Sequence, residues 1–317
     1  MTTHARWLSA VVLFVWVTLA AALPLDSARG RPVRAAAQEQ AQAPALAQAR
    51  LLINQGKPRE AIEKLTVPGG PVSPAVSHLL GVAYYHADDH RRAIEYLAPV
   101  VDQLPAGSLE RREAVQVLGL SYFLMGRFPE AVPLLEATRL WAPDNAELGN
   151  ILGQAYVQTR QPDRARETIA RTFAVAADSA AAHVLAAQIM IRLEFDAAAE
   201  TELRRAIEKD PKLPQAHLLL GQIALFRGRL DEAVALTERE IALNPVSAIA
   251  FSQLGDARSR QSKWDEGIAA LQKSIWLNPF YSAPYIVLGR AYMKKGEPAT
   301  AEGMLTRAIQ YLSLIHI

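Results

Sequence analysis

Small residues in register constrain this chain more than any other feature. Gly119, Gly153, Ala187, Gly221, Gly255 and Gly289 stand 34 residues apart, and Gly81 stands 38 before Gly119. Twelve positions after each comes a second small residue: Ala93, Ala131, Ala165, Ala199, Ala233, Gly267 and Ala301. Tyr84, Tyr122, Tyr156 and Tyr292 follow the first set by three, and Pro105, Pro143, Pro211, Pro245 and Pro279 follow it by 24. Two helices cross closely only where side chains are small, so the first small residue of each unit is expected to meet the second, with Tyr or Leu filling the space beside them. The prolines are expected to stop the second helix of each unit. Such a pair cannot bury both apolar faces alone, so the units must stack and share a core.

From about residue 42 to 311, an apolar helix ending in Leu-Gly-x-x-Tyr, a polar turn, a helix opening with Glu-Ala and often a closing Pro recur. This pattern resembles the tetratricopeptide repeat family. The resemblance implies an all-α fold, a right-handed α-solenoid of stacked antiparallel helix pairs, with about eight units starting near 42, 74, 112, 146, 180, 214, 248 and 282. Seven begin at Pro74, Arg112, Ala146, Ala180, Pro214, Ala248 and Ser282; a weaker one, "ARLLINQGKPREAIEKL", precedes them with Gly56 and Ala61 in register. No unit carries the family's early tryptophan, Arg258 stands where Tyr is usual, and Ala177 replaces a Pro. The unit from Ala248 is therefore expected to be the loosest.

The two ends read differently. Residues 1–25 have a basic start at Arg6 and no charge from Trp7 to Leu25, which reads as a signal peptide or an N-terminal membrane anchor. Cleavage would use Ala20 and Ala22, or Ala35 and Ala37; retention as an anchor is the competing reading, with Arg29, Arg31 and Arg34 following the apolar run. Either reading, with the Ala- and Arg-rich composition, implies a bacterial protein exported to the periplasm or held at the inner membrane, its N-terminal segment engaging the export machinery or the membrane. Residues 26–41, without apolar periodicity, read as a flexible linker. Residues 312–317, Leu-Ser-Leu-Ile-His-Ile, match one reading frame of the transposase mosaic end used to prepare sequencing libraries. They are expected to be a sequencing-adaptor artefact, with the natural protein continuing past Tyr311.

Composition closes several routes to chemistry. The chain has no cysteine, so disulfides and thiolate chemistry are out, and a formal net charge of +2 does not suit nucleic-acid binding. No phosphate-binding glycine loop, nucleophile elbow or H-E-x-x-H occurs. His86 and His90 have a metal-ligand spacing, but the register puts a chain reversal between them, and only Asp88, Asp89 and His78 lie near in sequence. His183 and His217, one period apart, are expected to be buried packing residues. The Asp-Glu pairs at Asp231 and Asp265 read as helix-start charges. No enzyme activity, cofactor or metal is expected.

What the fold does not require points to binding. In the resembled family, the first helix of each unit lines a concave groove. The position after each small residue reads Val82, Leu120, Gln154, Gln188, Gln222, Asp256 and Arg290, so stacked units would set Gln154, Gln188 and Gln222 in a row of amides suited to the backbone of an extended peptide. Some solenoids attached to peptide glycosyltransferases use an asparagine row in this way. Arg260, Arg290 and Lys294, with Arg192 upstream, make the last units basic, while Tyr85, Leu120, Phe123 and Val157 offer apolar surface earlier. A protein or peptide partner with a hydrophobic stretch and an acidic end is expected. The family's carboxylate-clamp positions read His78, Val82, Gln116, Leu120, Asn150 and Gln154, which disfavours a receptor for chaperone tails. The leading reading is a non-catalytic scaffold; the alternative is the recognition arm of a longer enzyme, such as a glycosyltransferase or peptidase.

Overall fold

Sixteen helices, and no strand, are found among the described residues of the computed structural model, which are 33–66 and 73–314, with side chains for 43–66 and 73–312. They fall into two compact units, one ending at Pro143 and one starting at Asp144. Unit 1 holds three helix pairs: α1 (Val33–Asn54) with α2 (Pro58–Leu65), α3 (Pro74–His86) with α4 (His90–Leu97), and α5 (Leu109–Leu124) with α6 (Phe128–Trp141). Unit 2 holds five: α7 (Ala146–Gln158) with α8 (Pro162–Thr172), α9 (Ala180–Arg192) with α10 (Asp196–Lys209), α11 (Ala216–Phe226) with α12 (Leu230–Leu243), α13 (Ala248–Arg260) with α14 (Trp264–Leu277), and α15 (Ser282–Lys295) with α16 (Pro298–Leu314).

Local chemistry accounts for the boundaries. Ser73, Ser108, Asn145, Ser179 and Ser247 each accept a backbone N–H three residues on, which caps the first helix of a pair. The pairs then turn through one residue in the left-handed region: Asp88, Gly126, Arg160, Glu194, Gly228, Ser262 and Gly296, with φ from 58° to 81°. The residue after it donates back into the helix end, as Gln161 N does to Tyr156 O at 2.8 Å, and so satisfies a terminal carbonyl. Helices α6, α10, α12 and α14 stop two residues before Pro143, Pro211, Pro245 and Pro279.

Some boundaries differ from the register. Helix α4 ends at Leu97, before Pro99, so Pro105 is not what stops it. Helix α5 starts at Leu109 rather than Arg112, because Ser108 provides the cap. Helix α11 starts at Ala216 rather than Pro214, with Gln215 held in the left-handed region while its N–H donates to the buried Glu240 carboxylate at 3.2 Å. The stretch read as linker is helical from Val33 onward, a correction that follows from its alanines and glutamines, which favour helix without any apolar face. The signal or anchor segment lies outside the described residues, as do Ile315–Ile317, while Leu312–Leu314 continue α16. Among the described residues no helix is long and apolar enough to cross a membrane.

Packing repeats within each unit. The small residue of each first helix faces the side chain sixteen positions later: Leu97, Leu135, Ile169, Leu203 and Leu271 are all fully buried in this way. A β-carbon added at Gly153 would stand 2.9 Å from Ile169 Cγ1, and one at Gly289 would stand 2.6 Å from Leu305 Cγ. Glycine is thus required by the Leu or Ile above it, more than by the Ala expected to meet it, whose contribution is its backbone carbonyl. Where α13 meets α14 the backbones close in as well, beside the Leu271 side chain. There a β-carbon at Gly255 would stand 2.9 Å from Gly267 O, and one at Gly267 would stand 3.0 Å from Gly255 O. The unit from Ala248 is therefore the one with the closest backbone approach, not the loosest. Arg258 replaces the missing Tyr by pairing with Glu238 at 2.8 Å and Glu266 at 3.3 Å.

Neighbouring first helices touch (α1 with α3, α3 with α5, α7 with α9, α11 with α13, α13 with α15), whereas neighbouring second helices do not do so to the same extent. The first helices consequently lie on the tighter side of the layer in each unit.

Candidate functional site on the first helices

In unit 2 the position after the small residue projects from the face of the first helices. Gln154 on α7 and Gln188 on α9 are half-buried and Gln222 on α11 is exposed. Gln188 Nε2 donates to Gln215 Oε1 at 3.1 Å, while the amides of Gln154 and Gln222 make no hydrogen bond among the described residues. The next two rungs are Asp256 and Arg290, 3.5 Å apart, so rungs of neighbouring helices reach one another along this face.

The basic end is more nearly balanced than the sequence implies. Arg260 donates to both oxygens of Asp256, at 3.2 and 2.9 Å, and to Leu225 O at 3.3 Å, so one carboxylate serves both Arg260 and Arg290. Lys294 and Arg192 are exposed and make no ion pair among the described residues. The amide row and these cations share one face because their positions lie four residues apart on each first helix.

Unit 1 does not present the matching surface. Val82 is fully buried and Leu120 is 9% exposed, and in unit 2 Val157 is buried as well, so these three are core rather than groove. A single-helix register cannot show that burial. Tyr85 and Phe123 remain half-buried; the Tyr85 ring lies against His86 and His90, with centroids 5.4 and 5.5 Å away, and Phe123 meets Phe128 edge-on at 5.5 Å. His86 closes α3 and His90 opens α4, with the reversal between them. Burial lowers the pKa of both imidazoles.

Two of the three buried histidines carry acidic partners that the sequence did not reveal. His78 Nε2 stands 2.9 Å from Glu113, which also accepts two hydrogen bonds from Arg50 at 2.6 and 2.7 Å. Burial pushes the Glu113 carboxyl up, but His78 and the Arg50 guanidinium outweigh it and hold it down at about 2. His183 Nδ1 lies 2.7 Å from the buried Glu202, which also accepts from Arg166 at 3.3 Å. Burial lowers the pKa of His217, opposed by the charge of Glu240. These are packing positions, as the period suggests for His183 and His217, and Glu113 and Glu202 each tie one helix pair to another. The partners lie 19 to 63 residues away, and no short motif marks them.

The exposed residue that sequence reasoning passed over is Phe226, at the end of α11 and 81% exposed. It stands one period after Arg192 and one before Arg260, so the 34-residue register was the signal that could have found it.

No curated protein matches the sequence. Among solved structures, MamA from Desulfovibrio magneticus RS-1 is 20% identical over 54% of this chain and 96% of that one, with a TM-score of 0.43. A tetratricopeptide repeat protein from Parabacteroides merdae is 17% identical over 73% and 90%, with a TM-score of 0.42. The APC/C hetero-tetramer Cut9-Hcn1 is 15% identical over 84% and 52%, with a TM-score of 0.44. Tetratricopeptide repeat families match residues 46–108, 122–189 and 192–248, more than half of the chain. With the paired helices and their 34-residue register, these matches show that the chain belongs to the tetratricopeptide repeat family, whose members serve as protein-interaction scaffolds.

Proposed function

We propose that this protein is an exported bacterial scaffold that binds an extended protein segment along the first helices of unit 2 and performs no chemistry of its own. The observation that carries the reading is the amide row. Gln154 and Gln222 leave both donor and acceptor uncommitted toward solvent, and Gln188 is bridged on one side only, to Gln215. An amide that both donates and accepts suits the main chain of an extended segment whatever its side chains. The basic residues Arg290 and Lys294 at the end of the row favour a segment with an acidic end. Export rests on the uncharged run from Trp7 to Leu25 after Arg6.

The test is the triple variant Gln154→Ala, Gln188→Ala, Gln222→Ala. Its circular dichroism should match the parent, while its affinity for peptides selected by the parent from an unbiased display library should fall about tenfold or more, as when a few central contacts carry an interface. Unchanged affinity for those peptides would remove the amide row from the site. Export is checked separately by fractionating cells that express the full chain.

A further inference from the structure

A second row on the same face specifies the chemistry of the bound segment; it rests on the reading just given, that an extended segment lies along these helices. Arg192, Phe226, Arg260 and Lys294 succeed one another at 34-residue intervals near the C-terminal ends of α9, α11, α13 and α15. Phe226 leaves 81% of its surface in water. Its neighbour on the next helix is fixed beside it, since Arg260 reaches back to the carbonyl of Leu225, the residue preceding Phe226, at 3.3 Å. Arg260 has its charge met by Asp256, held at 3.2 and 2.9 Å. Arg192 and Lys294 have no such partner among the described residues. The row is therefore an exposed aromatic ring between two uncompensated cations, with an arginine inside it that shares one carboxylate with Arg290.

We propose that this row selects an acidic segment with one apolar anchor. Helices in contact pack about 8 to 10 Å apart, and an extended chain advances about 3.3 Å per residue. One rung of the row therefore matches about three residues of the segment. The anchor covers Phe226, a carboxylate about six residues to one side meets Lys294 across the touching helices α11, α13 and α15, and another about three to five residues to the other side meets Arg192, because α9 stands farther from α11. Complementary charge places the segment, and burial of the anchor against the Phe226 ring holds it.

Fluorescein-labelled peptides in a Ser/Thr background test this directly, read by anisotropy against the full chain. The probes place Glu, Phe and Glu with three to five residues on one side of the Phe and six on the other, in both chain directions, beside versions with Phe→Gly or both Glu→Gln. One direction should bind, with affinity falling about tenfold or more when the peptide loses its Phe or when the protein carries Phe226→Ala. Arg192→Glu and Lys294→Glu should each weaken binding, and the Glu→Gln peptide should lose the salt dependence. Circular dichroism of the variants should be unchanged, because the substituted side chains are exposed. Equal binding of the acidic and Gln peptides, indifference to Phe226→Ala, or no binding in either direction would each overturn the proposal. Library-selected peptides that depend on the three glutamines but lack the acidic and apolar pattern would leave the amide reading standing and this one overturned. Peptides that depend on Phe226 and Arg192 but not on the glutamines would do the reverse.

Discussion

The same repeat position is core in unit 1 and surface in unit 2. Val82 and Leu120, one residue after the small residue of α3 and α5, are buried, whereas Gln154, Gln188 and Gln222 at that position of α7, α9 and α11 reach water. The repeat position is the same; the side chains differ, and the apolar ones are closed off from water. A tetratricopeptide register thus says where a residue stands on its helix, while its surroundings decide whether that place is buried or open to water.

The sharpest way to test this contrast is to exchange the chemistry. Val82→Gln should destabilise the protein by about 2 to 4 kcal/mol, since it buries an amide without a partner in place of a methyl-packed side chain. Gln222→Val should stay within about 0.5 kcal/mol. Urea denaturation of both variants checks the difference, and equal losses would place both residues in the same environment.

Acid should weaken unit 1 through a group that the open face of unit 2 lacks. The folded-state pKa of Glu113 is depressed to about 2 from an ordinary 4.5, so its stabilisation is complete above the ordinary value and is lost as pH falls from there toward 2. The contribution amounts to up to about 3 kcal/mol. Glu113→Gln should be less stable at neutral pH and lose less stability over that range. Hydrogen exchange of α3 and α5 amides between pH 5 and pH 2 reads the effect; the same acid response in parent and variant would refute it.

Helix crossings give a smaller contrast within unit 2. Gly255→Ala pushes a β-carbon into the Leu271 side chain and toward the backbone oxygen of Gly267, and should cost about 1 to 3 kcal/mol. Gly221→Ala meets Thr237 Oγ1 first, at 3.1 Å, and the Ala233 carbonyl only at 3.6 Å, so it should cost less than about 1 kcal/mol. Thermal melts that ranked the two the other way would show that α11 and α12 are the tighter pair.

The smallest expected effect is a gain. Glu194 turns from α9 to α10 at φ 64°, where Gly228 turns from α11 to α12 at φ 73°. Glu194→Gly should raise stability by up to about 1 kcal/mol by removing the left-handed penalty of a side chain. A loss would mean that the Glu194 side chain contributes more than its backbone costs.

The helix pairs were legible because their determinants are periodic and local. Glycines every 34 residues, capping serines and closing prolines act within one turn or one crossing, and they place α7, α9, α13 and α15 to the residue. The amide row was legible for the same reason, since Gln154, Gln188 and Gln222 share a register. What only the tertiary structure decided is which positions stay open and which charges stay free. Val82, Leu120 and Val157 are closed off from water, one Asp256 carboxylate pairs with Arg260 a turn along α13 and with Arg290 a full repeat away, and Glu113 gathers Arg50 and His78 across 63 and 35 residues. Burial and ion pairing depend on what stands across the gap between helices, and spacing along one chain carries no record of that.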